Sequence, residues 1–293
     1  MMYIHFIINP ISGSGKHNLS ASYIKTQFPN TTYKIEVDYT QHKKHALQLT
    51  KSAILQNPDC IIACGGDGTI NEVASSLVGT NIKLGIIPIG SGNGLASNLQ
   101  IPNNFEKAIS IIKKGNYKAM DVGQLNDNYF FSNMGIGIDA LIIKKYEKAG
   151  KRTLSAYIKA TLSAALEFKT FKTKVYFDNQ HLEINPLLLF ISNSNEMGYK
   201  MSLTPKASLF DGFLDIIIVP KLSFLEKLLL GYHVLRNSVD KFKKANRILI
   251  KDIRIEMPSK IFTDVQLDGE QYNLKTNQLS VRILAKSLRV LVD

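Results

Sequence analysis

Cys64-Gly65-Gly66-Asp67-Gly68-Thr69-Ile70-Asn71-Glu72-Val73 follows the apolar run 59–63 and leads into a helix-like stretch. Three glycines within four residues let backbone N–H groups come close to an anion. The helix behind them adds the partial positive charge of its N-terminus. The stretch therefore reads as a phosphate cradle, against the alternative of a Gly-rich turn that binds nothing. A carboxylate at Asp67 would repel phosphate unless it faced a metal ion carried by the phosphates or took a proton from an attacking group. Thr69 or Asn71 is placed to cap the helix.

Outward from this loop, strand-like runs at 3–8, 33–39, 59–63 and 83–89 alternate with helix-like runs at 18–28, 43–55, 69–78 and 105–114. Such alternation makes a parallel sheet with helices on its faces and a ligand crevice at the C-terminal ends of the strands. Three polar, Gly-rich loops fall on that rim: 9–15, 65–69 and 90–94. The first, Asn9-Pro10-Ile11-Ser12-Gly13-Ser14-Gly15-Lys16, is not a Walker A loop, because no Gly stands five residues before Gly15 and His17 replaces the required Ser or Thr. It also lacks the third Gly of a dinucleotide fingerprint, where Asn18 stands. What it keeps is a set of backbone N–H groups and Lys16 for phosphate. Ser91-Gly92-Asn93-Gly94 adds a hydroxyl, an amide and bare backbone to the same rim.

From about Met120 the pattern changes. Short β-rich runs at 129–131, 174–177, 186–192, 214–219, 248–256 and 260–267 predict a mostly antiparallel second domain. Two helices are expected within it. Residues 153–168 set Leu154, Tyr157, Ile158, Leu162 and Leu166 at helical spacing, and 223–236 opens with Ser223 and Glu226 in capping-box positions. Both lie beside basic clusters, including Lys144, Lys145, Lys148, Lys151, Arg152, Lys169, Lys172, Lys241, Lys243 and Lys244. Such helices either rest on an anionic bilayer or simply pack on their own sheet.

The 293 residues suffice for two domains, and 45% hydrophobic with 20% charged residues describes a folded protein. A net charge of +12 suggests a polyanionic partner: a nucleic acid, a nucleotide or an anionic membrane face. Two cysteines, Cys60 and Cys64, make neither a disulfide framework nor a metal set and read as packing residues in a reducing compartment. The N-terminus lacks a basic n-region and reads as a first strand. No apolar run reaches the roughly 18 residues of a membrane span.

GGDGTINEV at 65–73, PIGSGNGLA at 88–96, NPISGSGK at 9–16, SLFDGFLD at 208–215 and LDGE at 267–270 occur in the order seen in the diacylglycerol kinase catalytic-domain superfamily, which the chain resembles over nearly its whole length. That group includes bacterial diacylglycerol and related lipid kinases, sphingosine kinases and ceramide kinase. The resemblance implies α/β plus β architecture: a phosphofructokinase-like α/β nucleotide domain at 1–120, to which 281–293 return, and a β-sandwich lipid-binding domain at 121–280. ATP and lipid would meet in the cleft between them.

Carried over by position, the resemblance puts Asn9, Ser12, Gly13, Thr40, Gly65, Gly66, Asp67, Gly68, Thr69, Asn71, Glu72 and Ser91 around ATP, with Asp67 at the Mg2+–phosphate end. Glu270 matches the proposed proton acceptor of bacterial lipid kinases, whereas in sphingosine kinases the loop Asp has that task, so the base is Glu270 or Asp67. Asp211, with the backbone carbonyls of Ser208 and Phe213, matches a structural magnesium site or makes a tight Asp-Gly turn. Asp139 falls where sphingosine kinases hold the lipid head group, or it caps a helix starting at Ala140. The third loop is closer to the sphingosine kinase form than to the bacterial Gly-Thr-x-Asn-Asp form. The expected activity is ATP-dependent phosphorylation of a lipid hydroxyl, on diacylglycerol or a sphingoid-type lipid, at an anionic membrane surface. The resemblance further implies a cytoplasmic protein, peripheral at the inner membrane face, with a homodimer allowed and no nucleic-acid partner. The alternatives are an NAD kinase-like enzyme and a non-catalytic, nucleotide-gated lipid-binding protein.

Overall fold

The computed structural model describes residues 1–13, 19–90, 92–150, 153–178, 180–197 and 201–293. They divide into two units, Met1–Met120 with Lys286–Asp293, and Asp121–Ala285. The first unit runs β1 (Met2–Ile8), α1 (Ala21–Gln27), β2 (Tyr33–Tyr39), α2 (His45–Ile54), β3 (Cys60–Gly65), α3 (Asp67–Leu77), β4 (Lys83–Pro88), α4 (Gly94–Asn98) and α5 (Phe105–Lys114). β1 pairs in parallel with β2 on one side and β3 on the other, and β3 pairs in parallel with β4. Because the chain leaves β1 toward both sides, the crevice rule places a ligand at the C-terminal ends of β1 and β3. β3 is buried along its whole length, which explains its unbroken Cys-Ile-Ile-Ala-Cys-Gly run. Burial pushes both of its thiols upward, Cys60 to about 12. Both are packing residues.

The second unit holds β6 to β15, the end of β5 and most of β16: β5 (Tyr117–Leu125), β6 (Asn128–Phe130), β7 (Asn133–Gly137), α6 (Ile138–Lys148), α7 (Leu154–Glu167), β8 (Thr173–Phe177), β9 (Gln180–Ile184), β10 (Pro186–Ser192), β11 (Leu214–Pro220), α8 (Phe224–Leu235), β12 (Asn246–Ile250), β13 (Asp252–Glu256), β14 (Thr263–Leu267), β15 (Glu270–Leu274) and β16 (Gln278–Leu291). One sheet has the order β12-β11-β10-β7-β14-β15 and is antiparallel throughout. In the other, β13 lies between β16 and β8, with β9 beside β8, again antiparallel. The two sheets share one core, a β-sandwich.

Side chains alternate along β10 and β11 with the period of two that a strand imposes. Leu189, Ile191, Ile216 and Ile218 enter the core between the sheets, whereas Leu188, Phe190, Ile217 and Val219 face α6, α7 and α8. The β12–β15 sheet is therefore covered on both faces. The apolar run 248–256 is two strands, not one. Ile248 and Ile250 on β12 are followed by Ile253 and Ile255 on β13, a shift of one residue in the alternation at Lys251, where the chain changes sheet. A third helix, α6, joins the two expected ones; it starts at Ile138, two residues before the Ala140 start offered as one reading of Asp139.

Candidate functional site

The ends of the parallel strands bring the first-unit residues together. Thr40, just past β2, donates its N–H to the Ile8 carbonyl at 2.8 Å, and Asn9 donates its N–H to the Cys64 carbonyl at 2.9 Å. Ile89, just past β4, donates to the Gly65 carbonyl at 2.9 Å. The Asn9 amide donates to Thr69 Oγ1 at 3.0 Å, linking the first loop to the first turn of α3. Asn9 also turns its own loop, accepting the Ile11 N–H on Oδ1 at 3.1 Å and the Ser12 N–H on its carbonyl at 3.3 Å. Gly13 follows with φ +65°. Lys16 and Ser91 lie outside the described residues.

α3 starts at Asp67, earlier than expected, with Gly66 as its N-cap and no side-chain cap. Neither Thr69 nor Asn71 fills that role: Thr69 receives the Asn9 amide, and Asn71 Oδ1 accepts the Ser75 hydroxyl at 3.2 Å. A phosphate oxygen is a suitable acceptor for the first-turn N–H groups, Gly68 among them. The loops after β3 and β4 touch backbone to backbone, since a Cβ on Gly90 would stand 2.5 Å from the Cα of Gly66. Only glycine permits that approach.

Asp67 does not hang free. Its Oδ2 accepts the Asn93 N–H at 2.8 Å and its Oδ1 the Gly94 N–H at 2.5 Å, where α4 begins. A carboxylate has about four lone-pair directions, so each oxygen keeps one for a cation. Asn93 sits left-handed at φ +53°, buried, with its amide on the Gly90 carbonyl at 2.6 Å. Glu72 is committed to a different task. Its two oxygens accept the N–H groups of Lys44 at 2.9 Å and Ala46 at 3.1 Å, capping α2, whose N-cap Lys44 offers no side-chain acceptor.

In the second unit, Asp268-Gly269 forms the two-residue hairpin turn between β14 and β15, both with positive φ (+48° and +81°). The Asp268 carboxylate accepts three backbone N–H groups, from Phe131 (2.9 Å), Ser132 (2.7 Å) and Asn133 (3.0 Å). This pins the turn to the start of β7. Glu270, half-buried, is the first residue beyond it, paired with Leu267. Gln266 is almost wholly buried; its Oε1 accepts the Gly269 N–H at 2.9 Å and its amide donates to Asn133 Oδ1 at 2.8 Å. Asp268, Gln266 and Asn133 escaped sequence reasoning, although the Asp-Gly signal for the turn was present.

Beside this network lies Asp139. It is the second residue of α6, which begins at Ile138 after Gly137, so it does not cap a helix starting at Ala140. Its carboxyl is buried, and Oδ2 has no hydrogen-bond partner among the described residues. Burial raises its pKa to about 6, with the Gln266 amide pulling the other way. Gly135 makes room for it: a Cβ there would lie 2.0 Å from Asp139 Oδ2.

Asp211 is exposed and its Oδ1 accepts the Phe213 N–H at 3.1 Å, the turn-forming bond of an Asx motif. The intervening Gly212 donates to the buried Asp121 Oδ2 at 2.7 Å. No cluster of three His, Cys, Asp or Glu suited to a metal exists among the described residues. Asp211 with the carbonyls of Ser208 and Phe213 is a donor set that suits Mg2+ only if waters complete it. A cavity of about 550 Å³ adjoins it, lined by Asp211, Phe213, Lys251, Asp252 and Arg282 among others; neither Asp139 nor Glu270 lines it.

Residues 3–125 match the model of the diacylglycerol kinase catalytic domain, and residues 132–292 that of the YegS C-terminal NAD kinase beta sandwich-like domain. A diacylglycerol kinase of Staphylococcus aureus is 31% identical over 276 residues, covering 90% of this chain and 84% of the relative. The uncharacterized protein sll0036 of a Synechocystis species is 28% identical over 305 residues, covering 98% and 69%. Among solved structures, a putative diacylglycerol kinase from Bacillus anthracis superposes with a TM-score of 0.80 over 99% of this chain and 95% of that one, at 23% identity.

Proposed function

Since the chain belongs to the diacylglycerol kinase catalytic-domain superfamily, we propose that it is a lipid kinase that moves the γ-phosphate of ATP to a lipid hydroxyl, on diacylglycerol or a sphingoid-type lipid. The observation that carries this reading is the Asp67 bridge. A carboxylate built into an anion-friendly loop, with both oxygens aligned by the amides of Asn93 and Gly94, suits a phosphate that arrives with its own cation.

In this reading Asn9, Ser12, Gly13, Thr40, Ser91 and the Gly65–Asn71 loop hold the nucleotide, mostly through backbone N–H groups. Mg2+, when bound, would neutralise the charge that develops on the phosphates, and Asp67 is the residue suited to hold it. Asp211 with Ser208 and Phe213 would hold a second, structural Mg2+. Glu270 takes the proton of the attacking hydroxyl. A hydroxyl is a poor nucleophile at neutral pH, and a positioned base contributes about 10²–10⁴ in rate. The Asp268 anchor and the Gln266 bridge keep the Glu270 turn in one place. Asp139, buried and short of a partner on Oδ2, contacts the lipid head group.

Glu72 acts on the nucleotide loop indirectly, through α2. The protein works at the inner face of a membrane, where its substrate resides. An NAD kinase-like activity is the second reading, supported by the description of the matching sandwich model. Incubation with labelled ATP and diacylglycerol, a sphingoid base, ceramide or NAD separates the two. Label in a lipid is the expected result; label in NAD alone would sink the lipid kinase reading.

A further inference from the structure

α7 is packed the wrong way round for a helix that serves only to cover a sheet. Its buried positions are Ala160 and Ala164, while Leu154, Ile158, Leu162 and Leu166, spaced four apart along one side, are 42%, 44%, 49% and 75% exposed. A helix that merely closed a core would turn its large aliphatics inward. α8 shows the same inversion. Of its large apolar residues Leu230 alone is buried, whereas Phe224, Leu225, Leu228, Leu229, Tyr232 and Leu235 are between 46% and 76% exposed. The two helices touch, and Lys227 Nζ donates to the Ala165 carbonyl, yet both stripes stay uncovered. Apolar exposure on this scale marks a surface that something covers.

The charges around the stripes select the occupant. Glu167 is paired with Lys145, and Glu226 with Lys244, so the carboxylates of these helices are already neutralised. Lys159 within α7, Lys169 just beyond it, and Lys221 and Arg236 flanking α8 enter no ion pair among the described residues. A two-fold dimer through this face would bring both copies of these uncompensated cations into one interface, with no free carboxylate of α7 or α8 to meet them. A bilayer with anionic lipid accepts both features, leucines into the acyl boundary and cations onto the head groups. No helix among the described residues is long and apolar enough to cross a membrane, so these two would lie on it.

We propose that the outward stripes of α7 and α8 form one docking face on which this chain rests on an anionic bilayer. The proposal rests on the lipid kinase reading for its purpose but not for its test. The full chain, without ATP, is floated with vesicles of phosphatidylcholine alone or mixed with phosphatidylglycerol, neither containing a kinase substrate. Binding to the mixed vesicles is expected, and it should fall about fivefold for each cation removed in Lys159→Gln and Arg236→Gln. Leu225→Glu combined with Leu162→Glu should abolish it. Unchanged circular dichroism and thermal unfolding verify that these surface variants fold. Absence of binding by the native chain, or equal binding by all variants, overturns the proposal. So does a dimer that dissociates in the Leu162→Glu/Leu225→Glu protein with no vesicle binding in either form. Intact vesicle binding with no transfer to any lipid would refute the kinase reading and leave the docking face standing.

Discussion

Asp67 Oδ2 accepts the backbone N–H of Asn93 at 2.8 Å, so a residue of the loop after β3 fixes the loop after β4. Asp67→Asn keeps the shape but turns an N–H₂ group toward donors that need an acceptor. Turnover should fall at least tenfold with a raised KM for ATP, and stability by about 1–3 kcal/mol. Steady-state kinetics with a urea titration measure both. A variant with native KM and stability would show that the bridge is dispensable.

If Glu270 is the base proposed above, Glu270→Gln lowers kcat by about 10²–10⁴ with little change in KM, because it removes the proton acceptor. If turnover stays near native, the base is elsewhere and Asp67 becomes the candidate.

Asp268→Ala leaves three backbone N–H groups, those of Phe131, Ser132 and Asn133, without their acceptor. The cost should be several kcal/mol, at about 1–3 kcal/mol for each group left unsatisfied and buried. Thermal unfolding reads the loss. Gln266→Leu should act more mildly on stability yet lower kcat, by loosening Gly269 next to Glu270.

Glu72→Ala should destabilise the protein by about 1 kcal/mol, through loss of the cap on α2, with the KM for ATP altered less than in Asp67→Asn. A large rise in KM at unchanged Tm would instead put Glu72 on the nucleotide.

Asp139 gives stability a pH dependence. Its folded pKa, about 6, lies above the ordinary carboxyl value of 3.8, so the folded state binds the proton more tightly than the unfolded chain. Its favourable contribution is complete below about pH 4 and is lost as pH rises through 6. Asp139→Asn should therefore gain on the native protein between pH 4 and 7, by up to about 3 kcal/mol. Urea titrations at three pH values test this. A constant difference across the range would contradict it.

The first unit is legible because β1, β3 and β4 are largely apolar runs ended by Gly-rich loops, and the position of a loop at a strand end dictates the rim. The sandwich was legible as a class and less so in detail. β12 and β13 merged because a sheet change costs only a one-residue shift in alternation. α6 is legible only as the alternative reading of Asp139, a helix from Ala140, because Ile138, Ile142 and Ile143 are crowded into its first half and Lys144, Lys145 and Lys148 into its second, leaving little apolar periodicity. For Asp67 the residue type suggests metal or proton chemistry, and for Glu72 only the resemblance implies a place near ATP, while their partners, backbone N–H groups from distant loops, leave no mark on sequence. Asp268 was hidden for the same reason: its three donors lie more than 130 residues earlier.

β16 belongs to both units, the sandwich through Ala285 and the first unit from Lys286 on, where Val290 pairs with Leu84 of β4. Leu288, Val290 and Leu291 are fully buried there. During synthesis the first 120 residues emerge early but cannot complete their sheet until the sandwich and the final strand have been made. The protein thus delays completion of its first unit until β16 has been made, and removal of residues 286–293 should cripple the part of the molecule farthest from them in sequence.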